Sequence, residues 1–434
     1  MTGASFRGRV LRCWVPRVLA LAIALLLLPC ARATAQDEFP KLTFGGLLDA
    51  RAIETDTTQS WLDGGLGKTR YGGVDGQRAS LFRLSGASLL LHFATSEILS
   101  ASVQVNLDAQ PDNRSERQHV DLVTAFVSYR PELSPHIRLR VRAGILIPPV
   151  SLENDGPAWT ATRTVTASAA NSWIGEEVRT TGLETTLAWK DDSDDISVVG
   201  SGFTGNDAAG TLLAWRGWAL QDRLSGFDDQ LPLAPIPAIQ STGPVPQAPW
   251  AQPFTEIDGR LGYYAGGAWK RSNRFHVNAL YYDNRGDGLT SDGFQYAWKT
   301  HFSNVGALVQ LPAKIEILGQ HMWGEASAGL YEGRVAVDAP FRTTYGMVSV
   351  PAGRTRFSVR YDNFAVDSLG AIPIDSTWER GSAWTGAFLV RVGEAHRFAL
   401  EVLRVESDRS DRAVLGLPVH AAELQAQASF QFHF

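Results

Sequence analysis

The sequence has very little cysteine, little methionine and no long apolar run beyond its first residues. Cys13 and Cys30 are the whole cysteine complement of 434 residues, with Met limited to 3. Both cysteines precede residue 36. Everything after it must hold together without a disulfide, and no Cys-based metal site can form there. The mean hydropathy of -0.10 and the shortage of apolar runs exclude a bundle of membrane-spanning helices, each of which needs roughly 20 consecutive apolar residues. Neither is disorder compatible with 44% hydrophobic and 10% aromatic residues. Basic excess is missing too: 40 Lys and Arg stand against 45 Asp and Glu, which argues against a nucleic-acid partner.

The one apolar run, Val18 to Leu28, follows Arg7, Arg9, Arg12 and Arg17 and precedes Ala33-Thr34-Ala35. Charged region, apolar core and small-residue cleavage site together make residues 1–35 a secretory signal peptide, with 36–434 as the exported chain. Leu27-Leu28-Pro29-Cys30 is a poor lipoprotein signal, because proline adjoins the cysteine. The leader carries five arginines (Arg32 included) and no acid, so the exported part is more acidic than the formal net charge of -5.

Beyond residue 40 the apolar pattern has period two. In Ile137 to Ile147, the set Ile137, Leu139, Val141, Ala143, Ile145 and Ile147 alternates with Arg138, Arg140, Arg142 and Gly144. Ala101 to Ala109 alternates in the same way, and so does Ala421 to Phe434, where Leu424, Phe430, Phe432 and Phe434 oppose Glu423, Gln425, Gln427 and His433. Such strands are longer than the five or six residues usual in soluble sheets. They match the ~9–11 tilted residues that cross a bilayer. Sixteen segments qualify: 41–53, 82–94, 100–109, 120–130, 136–147, 179–190, 195–204, 257–270, 274–283, 296–310, 314–324, 342–351, 354–364, 383–392, 396–405 and 420–434. An even number, with connections alternating short and long, predicts an all-β, transmembrane, antiparallel up-and-down barrel of about sixteen strands in the bacterial outer membrane. Tyr129, Trp189, Trp269, Tyr281, Tyr282, Trp298, Trp323, Tyr361 and Trp384 are its candidate interfacial aromatics. Outer-membrane lipid and lipopolysaccharide are then its surroundings.

The terminal Phe434, closing an alternating strand, resembles the signal by which outer-membrane barrels engage the barrel assembly machinery. Gly144-Ile145-Leu146-Ile147-Pro148-Pro149-Val150-Ser151-Leu152-Glu153, after the Asp121 to Tyr129 strand and Arg130-Pro131, resembles the phosphate-selective porin O and P family where a strand gives way to an inward-folding loop. The resemblance implies a homotrimeric porin for passive diffusion of small hydrophilic solutes or ions, anions such as phosphate among them. It also makes 148–178 a constriction loop carrying the acids Glu153 and Asp155 and the base Arg163. With Val150 where that family often has an aromatic, and more acid than base in the loop, phosphate selectivity does not follow directly.

Apolar faces toward lipid turn Arg138, Arg140 and Arg142 into the lumen, with Arg354, Arg356 and Arg360 on a second strand. Two readings stay open: a ladder along which an anion steps between guanidiniums, or a wall of arginines paired with inward acids such as Asp49, Asp108, Asp258, Glu316, Asp362 and Glu401. The long loop 205–256 holds Pro232, Pro235, Pro237, Pro244, Pro246, Pro249 and Pro253, which predicts an extended, solvated segment unable to join a ladder. Catalysis lacks a motif: no Gly-x-Ser-x-Gly, no His-Glu-x-x-His, and a calcium-like Asp283-to-Gly288 run with Arg285 at a ligand position. No cofactor or metal is expected. A non-channel adhesin or structural barrel is the alternative, and a barrel enzyme a weaker one.

Overall fold

In the computed structural model the described residues are 39–107, 120–272, 274–293, 295–372 and 377–434. The leader with Cys13 and Cys30, the inward acid Asp108 and Phe294 lie outside them. Sixteen strands close one antiparallel barrel. They are β1 Lys41–Thr55, β2 Ser80–Ala94, β3 Leu99–Leu107, β4 Val120–Tyr129, β5 Ile137–Leu146, β6 Thr180–Lys190, β7 Asp194–Thr204 and β8 Gly262–Arg271. The second half is β9 Phe275–Asp283, β10 Lys299–Gln310, β11 Glu316–Tyr331, β12 Arg334–Ala352, β13 Thr355–Val366, β14 Glu379–Val392, β15 His396–Arg409 and β16 His420–His433.

Closure comes from β1 pairing with β16, Leu47 opposite His433 through Thr55 opposite Gln425. The Phe434 carbonyl then accepts from Gly46 N–H at 3.0 Å. A side chain at 46 would meet the Phe434 ring at 2.3 Å, so the seam needs glycine there. A closed sheet satisfies every strand's backbone internally, the condition for crossing a bilayer without edges.

The outward faces are apolar and uncovered: Phe82 is 78% exposed, Phe44 63% and Trp384 57%. This belt, with the closed sheet, makes the chain an outer-membrane β-barrel. Tight turns such as 191–193, 311–315 and 393–395 mark the end where β1 starts and β16 stops, the periplasmic end of such barrels.

Three expectations need correction. The sequence pattern places residues 325–341 between strands, yet β11 and β12 run on to a tight turn at Glu332-Gly333, where both residues have positive φ. Their extra length covers loops with Ala328, Ala336, Val337 and Ala339, all buried. Tyr282 and Trp298 are not interfacial: strand alternation turns Tyr281 out and Tyr282 in, and both Tyr282 and Trp298 are fully buried. Residues 231–253 are not a solvated loop either. Leu231, Ile236, Val245 and Ala251 are buried, and Leu231–Pro232 ladders with Trp250–Ala251. Proline is tolerated there because the linking bond runs from Leu233 N–H to the Pro249 carbonyl, which no proline needs to donate.

The outer half of the lumen is therefore filled. Helix α1 (Ala169–Glu177) and helix α2 (Thr211–Trp215) enter from the loops after β5 and β7. Trp173 lies with its ring centroid 5.3 Å from Phe302 and 5.2 Å from Phe341. Trp215 meets Trp298 at 6.2 Å, and Trp218 meets Phe341 at 5.9 Å. Inward positions of β7–β15 supply the other side with Phe203, Tyr264, Tyr282, Met322, Phe364 and Leu403. Burying such rings stabilises by about 1.5–3 kcal/mol each, enough to dock loops that propensity alone would leave open.

Candidate pore lining

Period two carries every barrel residue of interest. Arg138, Arg140 and Arg142 share the inner face of β5. Arg142 donates to both Glu184 oxygens, at 2.8 and 2.9 Å, and its guanidinium lies 5.2 Å from the Phe126 ring centroid. Arg140 is farther from Glu184, at 3.8 Å, with its side chain 43% exposed. Arg138 is exposed near the periplasmic mouth. The same alternation points Lys190 and Lys270 inward on β6 and β8, two bases that the sequence reading passed over.

A second group forms where segment 147–179 crosses to the far wall. Arg163 bonds Glu316 at 2.9 Å and Asp155 at 3.0 Å, and Arg356 reaches the same Glu316 at 2.6 Å. Arg360, fully buried, bonds Asp362 at 2.7 Å, Glu153 at 3.4 Å, and the carbonyls of Thr166 and Ala167 at 2.7 and 2.9 Å. Glu153 accepts from Ser168 N–H at 2.8 Å and the Asn171 amide at 2.7 Å. Glu401 accepts from Val165 N–H at 2.6 Å, so the segment is tied to β13 and β15 alike. Arg354 belongs to neither group. It sits exposed in the turn between β12 and β13, because the hairpin reverses before the alternation can carry its side chain into the lumen.

The structure thus separates the sequence-predicted residues. Arg163 pairs with Asp155, Arg360 with Glu153, and Arg356 shares Glu316 with Arg163, whereas the β5 row has Glu184 as its close acid. Buried charge in the other loops escaped sequence reading. Arg51 bridges Asp49 at 2.6 Å and also pairs with Asp222, Lys68 pairs with Glu379, and Arg216 pairs with Glu176 at 2.6 Å while lying over Trp61. The apolar density of Leu212, Leu213, Trp215, Trp218, Leu220 and Leu224 was the available signal that 205–256 is not solvated.

Two loop carboxylates are held above the usual carboxylate range. Burial pushes Glu177 up to about 7 despite N–H donors from Leu212 and Trp173. Burial does the same to Asp207, with Glu256 and Asp258 adding repulsion, again to about 7. These three acids bring oxygen atoms within 4.8 Å of one another. Backbone N–H groups of Ile257 (2.5 Å) and Asp258 (3.1 Å) cap Asp207, and Gly205 (2.6 Å) caps Glu256. Asp258 lies in the loop before β8, not on the lumen wall as the longer predicted strand required.

No protein-family model matches the sequence, and no curated protein matches it. Solved structures do. The outer membrane channel DcaP of Acinetobacter baumannii superposes with a TM-score of 0.56 at 10% identity, covering 93% of this chain and 100% of that one. OmpF of Salmonella typhi, in complex with daunomycin, gives 0.49 at 10% identity over 91% and 98%, and OmpT of Vibrio cholerae 0.48 at 9% over 92% and 99%. At 10% identity the DcaP likeness establishes a shared barrel fold and nothing finer.

Proposed function

We propose that this chain is a porin that passes small hydrophilic solutes by diffusion and favours anions. The observation that carries the reading is the asymmetry of inward charge. Arg163, Arg356 and Arg360 are engaged by Glu316, Glu153 and Asp362, whereas Arg138 and Arg140 face the lumen with unused donors, and Lys190 and Lys270 flank a single inward acid, Asp195 of β7. Segment 148–178 acts as the constriction, narrowing the passage to the side of β3–β8. In a narrow lumen these charges are screened less than on an open surface, and guanidiniums two residues apart stand roughly 6.5–7 Å apart, close enough for an anion to pass between them. Phosphate is one such anion, suited to the guanidinium fork. The family resemblance extends the proposal to a homotrimer and to a cleaved leader, residues 1–35.

The filled outer lumen favours a second reading: a barrel closed at rest, with an adhesive or structural role. Reconstitution in a planar bilayer separates the two. Discrete conductance steps with a reversal potential of anion-selective sign support the porin; a silent bilayer with fully folded protein supports the closed barrel.

A further inference from the structure

A cavity of about 400 Å³ lies between the inner wall of β3–β5 and the first part of segment 147–179. Its size falls within the range that holds small organic ligands. On the wall side, Arg142 is spent on Glu184 and the Phe126 ring. Arg140 is not. Its nearest acid oxygen is 3.8 Å away, its one side-chain bond is a long 3.4 Å contact to Thr186, and its Nε has no partner. A cation with unused donors therefore faces the cavity.

The opposite side sets the apolar surfaces of Ile147, Pro148, Pro149 and Trp159 beside the polar Ser151, Asn154 and Asp155. Trp159 is held there against its backbone preference. Ala158 and Trp159 both have positive φ, at 53° and 59°, a conformation that L residues rarely adopt and that persists where surrounding contacts impose it. Here the Asn154 amide donates to the Trp159 carbonyl at 3.0 Å and the Gln104 amide to the Ala158 carbonyl at 3.4 Å. A side chain at Gly175 would come within 3.1 Å of the indole, so α1 leaves just the space the ring fills. Asp155, 48% exposed on the same rim, is bonded to Arg163 and Thr162 and does not pair with Arg140.

From this geometry we propose that the cavity is a subsite for an organic monoanion with a flat apolar body. Its carboxylate sits on Arg140 and its ring against Trp159 and Pro149. The inference rests on the reading of the β5 row as a solute pathway, and adds the class of solute. Inorganic phosphate has no surface to offer the indole, and a second negative group would meet Asp155 or Glu184.

Benzoate is the probe. Calorimetric titration of the full barrel in detergent micelles should show benzoate binding at least tenfold tighter than acetate, phosphate or terephthalate. Trp159→Ala should weaken benzoate at least tenfold and leave acetate unchanged, with Trp159→Phe restoring most of the loss. Arg140→Gln should weaken both. In bilayers, benzoate should reduce chloride current in the natural protein at concentrations that leave Trp159→Ala unaffected. Equal affinity for benzoate and acetate, tighter binding of terephthalate, or equal weakening of every anion by Trp159→Ala would overturn the subsite. Benzoate binding by a barrel that never conducts supports the subsite and overturns the channel reading; conduction with no response to benzoate does the reverse.

Discussion

Arg360→Met removes the cation that ties segment 147–179 to β13 and keeps a side chain of similar reach. Arg360 sits among Asp362, Glu153 and the carbonyls of Thr166 and Ala167, with nothing exposed to water. Breaking a buried pair from one side costs about 3–5 kcal/mol, because the partner charges stay buried and unpaired. Here Glu153 and Asp362 would be left facing each other, with Glu401 beside them. At about 1.4 kcal/mol per factor of ten, the balance between docked and released loop should shift by roughly two to three and a half orders of magnitude. β13 itself cannot follow, since its whole length is paired to β12 and β14. The readout is hydrogen exchange by mass spectrometry. Peptides over 161–171, whose Val165, Thr166 and Ala169 amides bond Glu401 and Asp362, should lose at least about a hundredfold of their protection. Peptides over 355–366 should not change. Single-channel conductance should rise in parallel. Adding Glu153→Gln and Asp362→Asn should restore much of the protection, because the two carboxylates that bonded Arg360 are then neutral. Unchanged exchange over 161–171 in Arg360→Met would refute the reasoning and assign the docking to the packing of Val150 and Trp173.

Single cysteines test the topology: Gln77→Cys and Ser241→Cys, both exposed at the loop end, should react with an impermeant thiol reagent on whole cells, whereas Ser193→Cys in a periplasmic turn should not. Ser60 is buried and would report nothing. Arg140→Ala should fold normally and lower the anion-to-cation permeability ratio severalfold, measured as reversal potential; Arg356→Ala should do less, since Glu316 keeps Arg163 as partner. Asp207 is raised to about 7, so its ionised form opposes docking of the 205–258 loop at alkaline pH, and the penalty is relieved as pH falls through 7 toward the usual carboxylate range. Exchange protection at 205–258, corrected for intrinsic rates, should be greater at pH 5.5 than at pH 8, and Asp207→Asn should remove part of that dependence, the rest coming from Glu177, which accepts from Leu212 N–H.

The barrel was legible because lipid imposes its own pattern. The outward positions along the middle of β5, β13 and β16 are apolar, and the alternating arginines, serines and glutamines opposite make the period plain. The signal weakened where both faces are apolar. In β9–β12, Tyr282, Phe302, Met322 and Phe341 point inward and are as hydrophobic as their outward neighbours, so alternation no longer told in from out. That is how Tyr282 came to be read as an interfacial ring. The site was legible in part for the same reason. The inward direction of Arg138, Arg140, Arg142, Arg356 and Arg360 follows from strand period, as does that of the wall acids Glu316 and Asp362, but the loop residues that join them, Glu153 at Arg360 and Arg163 at Glu316, are far away in the chain.

The loops were the illegible part, and the failure has a physical form. Proline in 231–253 points to solvation, because a residue without an N–H cannot donate within a ladder. Yet a proline also cannot leave an unsatisfied N–H when buried, which suits it to a lumen where ladder partners are few. Leu231, Ile236, Val245 and Ala251, spaced between those prolines, supply the apolar surface that draws the segment in. The inward rings of β9–β12 and the leucines and tryptophans of 205–256 are then two halves of one core. An apolar inner wall is costly against water and gains when covered, so the strands that spoiled the alternation are the ones that hold the loops. On the β3–β8 side the inner wall instead carries Gln104, Thr124, Arg140, Glu184 and Ser197, and the cavity lies there. The open space beside β3–β5 and the seat of the docked loops are thus divided around the barrel by the character of the inward positions, with Phe203 of β7 and Tyr264 of β8 on the docked side.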